Sequence, residues 1–464
     1  MLSKIRRLIG NRAFYAMVMA VVLPIIVQNA ISNFVNLLDN LMVGRIGTDQ
    51  MSGVAIANQL IFVFNLAIFG AVSGAGIFTA QFHGAGSVDG VRATLRYKFV
   101  ICLGLSLLAI ALFLLRGPQL ISLYLTDTAD PERVRRTLEF AMQYLRIMLV
   151  GLIPFALTQC YAGTLRETGE TAMPMYAGVI AVCVNLLFNY LLIFGHLFFP
   201  AMGVRGAAYA TVLSRFVELF IIVFYTHTHR ARHAFAEGLY RSMAIPAPLV
   251  RDITKKGMPL LINEFLWSMG VATLSQIYSL RGLDVVAAIN ISSTVHNLFS
   301  VTFLSMGSAA SIIVGQALGA NEAEKAKDYS WKLMTFSVAI SLAFGAALLA
   351  LSGWIPLMYN TTGAVHSLAT SLLRVSACVM PFSAITNCSY FILRSGGRTG
   401  ITFLFDSVFM WLVNITLAYS LAHFTGMSIV PLYLCVQLTE LIKCVIGMIL
   451  IHKGIWINNI VGNN

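Results

Sequence analysis

Apolar runs long enough to cross a bilayer recur twelve times in this chain, and they constrain its fold more than any other feature. Backbone polar groups in lipid must be hydrogen-bonded within their own segment, which favours helices for runs of roughly 20 residues. The sequence therefore predicts an all-α membrane protein with twelve transmembrane helices. The runs fall at residues 14–41, 52–81, 98–115, 138–160, 173–195, 204–225, 259–280, 285–316, 332–352, 371–393, 400–423 and 428–451.

Composition supports the same class of protein. Of the 464 residues, 58% are apolar and only 11% are charged, whereas soluble domains carry roughly 25% charged residues. The first apolar run follows a basic stretch, as in a signal peptide, but it is too long for a signal segment and we expect it to be retained. The seven cysteines lie in apolar segments without CxxC spacing, so neither disulfides nor a zinc site is expected.

Lysine and arginine predict the orientation. With a cytoplasmic N-terminus, 21 of the 31 basic residues fall in cytoplasmic loops and tails and seven in external loops. This bias favours a protein of the cell (inner) membrane with both termini in the cytoplasm. The formal charge of +12 is then explained by topology and by contact with anionic lipid, and no nucleic-acid partner is expected.

A long polar stretch divides the helices into two sets of six. It contains "HTHRARH", whose His227, His229 and His233 are close enough to suggest a metal site. We favour a solvated basic linker between the two halves instead, which is the commoner use of such a composition. The predicted division is an N-terminal lobe at 1–226, a cytoplasmic linker at 227–256 and a C-terminal lobe at 257–464.

The two halves of the sequence repeat one another. A shift of 235 residues brings Pro24 onto Pro259 and "SGAGIFTAQFHGAG" onto "SAASIIVGQALGAN"; further on, a shift of 228 brings "LRETGET" onto "LRSGGRT". Each copy holds six helices, so the copies share their orientation and a pseudo-twofold axis runs along the membrane normal. Two such bundles predict a central cleft that opens to either side, which is the architecture of an alternating-access transporter.

Several motifs resemble those of the MATE (multidrug and toxic compound extrusion) family, and the likeness covers nearly the whole chain. They are "LPIIVQNAISNFVNLLDNLMVGRIG", "QFHGAG", "LRETGETAMP", "CVNLLFNYLLIFG", "GVRGAAYATVLSR" and "FDSVFMWLVN". The resemblance implies a secondary active multidrug efflux transporter. It would export lipophilic, mostly cationic compounds in exchange for Na⁺ or H⁺, with no cofactor besides that coupling ion.

Asp39 is an acid near the end of the first apolar run, where an ionised carboxylate costs roughly 2.5–3.5 kcal/mol on insertion scales. Asn185 and Asn189, one turn apart, and Thr211 fall at a similar depth. Carboxylate, amide and hydroxyl oxygens suit a hard cation, and a buried carboxyl equally suits a proton. The resemblance places the family's coupling residues on these four positions. No metal is expected beyond Na⁺ at Asp39, and the choice between Na⁺ and H⁺ stays open.

A second acidic site is suggested by Glu264 and Asp406, which lie at matching depths in the inner half of helices 7 and 11. The chain departs here from part of the family, since it has no acid on helix 10 and its helix-7 glutamate comes about a turn earlier. Pro24 and Pro259 each remove a backbone hydrogen bond and are predicted to bend helices 1 and 7. We hypothesise that the bend in helix 1 responds to the charge of Asp39.

The other buried charges suggest neutralised pairs, with Arg215–Glu218 and Glu440–Lys443 at i,i+3 spacing. Arg146, Arg215 and Arg374 keep one alternative open, a flippase for a lipid-linked precursor with an anionic headgroup. An intramembrane enzyme is disfavoured, because no HExxH, GxSxG or P-loop pattern occurs. We thus expect no catalytic residues. The expected partners are small lipophilic cations, the coupling cation and membrane lipids, and we expect a monomer.

Overall fold

The protein is helical throughout the regular structure of residues 9–125, 130–359 and 361–462, which a computed structural model describes. This confirms the predicted all-α class. The eleventh helix contains two π-helical segments, and a 3₁₀ turn lies within the fourth. The helices, numbered α1–α12, span Arg12–Gly44, Thr48–Gly84, Val88–Ser122, Pro131–Glu167, Ala172–Phe194, Val204–Thr228, Ala247–Ser279, Leu283–Gly319, Ala323–Leu351, Gly363–Ser395, Thr399–Phe424 and Ile429–His452.

Eleven of the helices in the described part of the chain are long and apolar enough to cross a membrane. The remaining helix is α7, which is as long as α1 but carries Asn263, Glu264 and Gln276 along its length. Polar residues within a transmembrane helix are costly and mark positions where function or packing requires them. The one helix that falls short of the apolar spans therefore also bears a candidate coupling acid, Glu264.

The internal repeat is visible in the lengths of the helices. Both α1 and α7 have 33 residues, both α2 and α8 have 37, and a shift of 235 positions superimposes their two ends. α5 has 23 residues but its counterpart α11 has 26. α11 also contains the π-helical segments Leu404–Val408 and Met410–Ile415. A π bulge accommodates inserted residues within a continuous helix, so these segments account for the greater length of α11.

The chain divides into two compact units. The N-terminal unit comprises Val27–Thr79 and Val88–Ile253, and the C-terminal unit comprises residues 9–26, Ala80–Ser87 and 254–462. α1 and α2 thus contribute to both. The lobes expected from the sequence, with boundaries at 226 and 257, stay a prediction about the domains.

Two glycines bring α2 and α8 into close contact within the C-terminal unit. A Cβ atom on Gly84 would lie 1.9 Å from the carbonyl oxygen of Gln316, and one on Gly319 would lie 1.9 Å from that of Gln81. The four residues are repeat mates, Gln81 with Gln316 and Gly84 with Gly319. The Gln81 side chain also donates to Ser395 O at 2.9 Å and accepts from Ile460 N at 2.8 Å. The crossing therefore anchors the C-terminal segment of the chain.

Replacement of either glycine is expected to destabilise the C-terminal unit. In Gly84→Ala or Gly319→Ala the new methyl group would overlap a backbone carbonyl, and overpacking of this kind costs about 1–3 kcal/mol. Gly104→Ala on α3 is the matched control, since a Cβ there would have no neighbour within 4 Å. The midpoint of thermal unfolding in detergent should fall for the first two variants and stay unchanged for the third. Equal midpoints for all three would contradict the close crossing.

The linker packs against the N-terminal unit, so the prediction of a solvated linker is wrong for its central part. His233, Phe235 and Leu239 are at most 5% exposed. Arg92 and Arg96 of α3 hold this segment by donating to backbone carbonyls of Ala234, Phe235, Gly238 and Leu239 at 2.9–3.3 Å. The basic, loop-like composition of the linker predicted exposure to water. The segment packs against the unit instead, because its backbone carbonyls accept hydrogen bonds from the two arginines.

Acidification should loosen this linker through His233. Burial lowers the pKa of His233, as do Arg232 and His229, against the opposite effect of Glu170. A lowered pKa means that the docked state prefers neutral imidazole, so docking is stable above about pH 6.5 and weakens as the pH falls below it. Tryptic cleavage at Arg232 should accelerate below that pH in the wild type. It should lose this dependence in His233→Gln and keep it in His229→Gln, which alters an exposed histidine.

Candidate functional site

The four predicted coupling residues meet inside the N-terminal unit. Asn189 Nδ2 donates to Asp39 Oδ1 at 2.6 Å and to Asn185 Oδ1 at 3.2 Å. Asn185 Nδ2 lies 3.3 Å from Thr211 Oγ1, to which it donates. Asn185 and Asn189 are 5% and 1% exposed. One chain of hydrogen bonds therefore connects α1, α5 and α6.

Helix geometry explains the arrangement. Asn185 and Asn189 are four residues apart on α5, so their side chains lie one above the other on the same face. Thr211 donates its hydroxyl proton back to Ala207 O at 3.0 Å. This bond leaves the lone pairs of Thr211 Oγ1 for other groups, and the site gains a third kind of oxygen.

The Asn185 amide fits the site in two orientations. In the first, its oxygen faces the Asp39 carboxylate at 3.0–3.1 Å, which places two acceptors against each other. Rotated by 180°, its nitrogen donates to both Asp39 oxygens at these distances, and its oxygen accepts from Thr211 Oγ1 at 3.3 Å. The rotated orientation suits an ionised, empty carboxylate. The first is favourable only when a proton or a cation lies between the two oxygens.

A second oxygen of the site is free to act as a ligand. Asn189 Oδ1 is buried and has no hydrogen-bond partner among the described residues. An unsatisfied buried acceptor is unfavourable and uncommon in native proteins. Asp39, Asn185, Asn189 and Thr211 together offer carboxylate, amide and hydroxyl oxygens, the ligand type of a hard cation.

Tyr144 and Asn58 belong to the same neighbourhood and were missed from the sequence. The Tyr144 hydroxyl, on α4, lies close to the side chains of Thr211 and Asn58, and Tyr144 is 4% exposed. Neither residue is charged and neither has a repeat mate of its own type, so no pattern distinguished them from packing residues.

Arg215 lies close to this group and within electrostatic range of Glu218, its predicted partner. Within the described ranges the two side chains form no direct ion pair. Arg215 Nη1 instead donates to Gly151 O at 3.1 Å, and the guanidinium lies 5.0 Å from the Phe155 ring centroid. The carbonyl of Gly151, which ends the 3₁₀ turn within α4, is therefore the acceptor that the guanidinium reaches.

In the C-terminal unit, Asp406 is already paired. Lys443 Nζ lies 3.0 Å from Asp406 Oδ1, and Asn263 Nδ2 donates to Asp406 Oδ2 at 3.1 Å. Glu264 lies on α7 beside Asn263, within electrostatic range of Asp406 and of Arg394 on α10. The two predicted acids are therefore neighbours, and they share their surroundings with two basic side chains.

Asp406 lies in the first π-helical segment of α11, Leu404–Val408, which is fastened to α7. Ser407 Oγ donates to Asn263 Oδ1 at 2.7 Å and to Asn263 O at 2.9 Å, while Ser407 N donates to Asn263 Oδ1 at 3.3 Å. Farther along, Trp411 Nε1 donates to Leu266 O at 3.0 Å. These bonds fasten α11 to α7. Pro24 and Pro259 lie inside the continuous helices α1 and α7, and their role as bending points stays a prediction.

Comparison with known proteins identifies the family. The family model named MatE matches residues 24–191 and 259–420, one match in each half of the chain. The chain belongs to the MatE family of membrane transporters. This confirms the resemblance seen in the sequence, and the two matches reproduce its internal repeat.

Individual relatives of this MatE protein are distant but similar along their whole length. A Thermotoga maritima protein named "Probable multidrug resistance protein NorM" is 22% identical over 437 residues, covering 94% of this chain and 91% of its own. "Multidrug resistance protein MdtK" of Edwardsiella ictaluri is 24% identical over 87% of each chain. The fold matches that of a solved multidrug resistance MATE transporter in an outward-facing conformation, with a TM-score of 0.86, 18% identity and 97% coverage of both chains.

Proposed function

We propose that this protein is a multidrug efflux transporter that exports lipophilic, mostly cationic compounds in exchange for H⁺ or Na⁺ bound at Asp39. The observation that carries the proposal is the surroundings of Asp39. Its nearest partners are neutral amides, and the buried Asn189 Oδ1 has no partner among the described residues. The names of the relatives, NorM and MdtK multidrug resistance proteins, support the drug-export part.

The Asn185 amide supplies a means of coupling. Without an ion, its nitrogen faces an ionised Asp39 and compensates part of the negative charge. When H⁺ or Na⁺ arrives, its oxygen turns to face the carboxylate, and Asn189 Oδ1 becomes a further ligand for Na⁺. Thr211 then changes from donor to acceptor towards Asn185. The ion therefore alters hydrogen bonds between α5 and α6 as well as the charge of α1.

Pro24 is the proposed link between this change and transport. It lies in α1, fifteen residues before Asp39, and it leaves a backbone carbonyl without its helical partner. Two solved structures of a MATE protein, similar to this chain with a TM-score of 0.85 each, are described as its bent and straight conformations. We infer that binding at Asp39 selects between two shapes of α1, with Pro259 as the corresponding point in α7.

Glu264 and Asp406 are proposed as a second acidic group that supports the cycle. Because Asp406 faces Lys443, Glu264 is the member more free to exchange a cation. We further propose the cell (inner) membrane as the location, with both termini in the cytoplasm, and a monomer as the working form. These assignments follow from the bias of basic residues and from two matched bundles within one chain.

Efflux from proteoliposomes tests the function. We expect a fluorescent lipophilic cation to move against its gradient when either a pH gradient or a Na⁺ gradient is imposed, and the effective gradient identifies the coupling ion. Asp39→Asn should reduce transport to the leak rate of protein-free vesicles, because an amide carries no exchangeable charge. Asp89→Asn is the control, since Asp89 is 90% exposed and pairs with Arg92 at the start of α3.

The outcomes separate the candidate functions. Equal transport by wild type and Asp39→Asn would make Asp39 structural and overturn the coupling proposal. If the wild type moves the dye under neither gradient, the flippase becomes the better hypothesis, and fluorescent lipid-linked precursors should replace the dye. Loss of transport in both variants would indicate damage to the protein, which size-exclusion chromatography would detect.

A further inference from the structure

Lys443 is a buried cation in an unusual setting. Its side chain, on α12, is 9% exposed. Nζ lies 3.0 Å from Asp406 Oδ1 and 4.0 Å from Glu440 Oε1. It also lies 5.4 Å from the centroid of the Phe405 ring and 5.8 Å from that of Phe409. One ammonium group therefore faces two carboxylates and two aromatic rings.

This combination is the chemistry that binds ammonium ions in general. Carboxylates accept the N–H donors of the cation, and aromatic faces within about 6 Å attract it through their quadrupoles. The sequence predicted only the pair with Glu440, one turn away on the same helix. Asp406 is the closer partner, because α11 presents Phe405, Asp406 and Phe409 together to α12.

The site is held in shape by groups other than the lysine. Asp406 Oδ2 accepts from Asn263 Nδ2 at 3.1 Å, and Asn263 is in turn bonded to Ser407 through Oδ1. One carboxylate oxygen is thus occupied by α7, and the other is left facing Lys443. A carboxylate fixed in this way stays oriented when its cation changes.

We propose that Asp406, Glu440, Phe405 and Phe409 form an ammonium-binding site, which Lys443 fills as a tethered cation. Alkylammonium ions are the ligand class that the site accepts once the lysine is removed. This site also bears on the proposed function, on which the following assignment of the ion-exchanging acids rests. Asp406 has its neutralising cation within the chain, so ion exchange falls to Asp39 in the N-terminal unit and Glu264 in the C-terminal unit.

The internal repeat shows that this site is particular to one half. A shift of 225 residues superimposes the beginnings of α6 and α12 and brings Glu440 onto Arg215 and Lys443 onto Glu218. The charges at the two positions are therefore exchanged between the copies. Asp406 falls opposite Val179 or Gly178 of α5, depending on whether the shift is 227 or 228, and neither residue carries a charge.

Chemical rescue tests the proposal. Lys443→Ala removes the part of the side chain equivalent to n-propylammonium, so this ion is the probe. Purified protein in detergent should unfold at a lower temperature after the substitution, and n-propylammonium chloride should raise the midpoint saturably. Sodium chloride at equal ionic strength and neutral n-propanol should not. The wild type, whose site is full, should not respond, and Lys443→Ala/Asp406→Asn, which keeps only the more distant carboxylate of Glu440, should respond much less than Lys443→Ala.

Two results would refute the proposed ammonium-binding site. One is the absence of an effect specific to n-propylammonium in Lys443→Ala, and the other is an equal effect in the double variant. If Lys443→Ala does not fold, a second comparison decides. Lys443→Met should be less stable than Lys443→Met/Asp406→Asn, because only the single variant leaves a buried carboxylate without its cation. Equal stability of these two variants would refute the pairing. These measurements of unfolding involve no transport, so their outcome is independent of whether the proposed function is correct.

Discussion

The cost of a charge inside a membrane governs how this chain arranges its ionisable residues. Lys98 on α3 is fully buried, and it meets Glu167 Oε2 at 2.5 Å and Thr164 Oγ1 at 3.0 Å. Asp406 meets Lys443. Asp39 differs from both, because the partners found for its carboxylate are amides without charge. A counter-charge within the chain stabilises the first two groups, whereas under the proposed function Asp39 receives its counter-charge from a bound ion.

Much of this organisation could be predicted from the sequence because it depends on periodicity and depth. Spanning runs located the helices, and the 235-residue shift found in the sequence reappears in the matching lengths of α1 with α7 and α2 with α8. Counting residues along α1, α5 and α6 was enough to bring Asp39, Asn185, Asn189 and Thr211 to one level. These inferences need only the rise per residue of a helix and the orientation of each span.

Features that depend on the rotation of helices about their axes could not be predicted in the same way. The nearest partner of Lys443 is on α11 instead of one turn away on α12, because two π-helical segments change the face that α11 presents. Arg215 donates to the carbonyl of Gly151 at the 3₁₀ turn of α4, and that turn leaves no mark in hydropathy. The buried linker is a third case, since its docking depends on backbone carbonyls, which every sequence possesses.

The two halves therefore combine a shared scaffold with different electrostatics, and this difference bears on how coupling avoids leakage. A carrier that changes conformation with an uncompensated carboxylate must bring that charge into a water-free environment, so the empty state crosses slowly. In the proposed cycle Asp39, whose partners among the described residues are amides, imposes this barrier unless H⁺ or Na⁺ is bound. Asp406 imposes none while Lys443 is paired with it. Under the proposed function, one obligatory charge in one half is sufficient to make the conformational change depend on the ion, and a second carboxylate that is paired with Lys443 adds no further ion to the cycle.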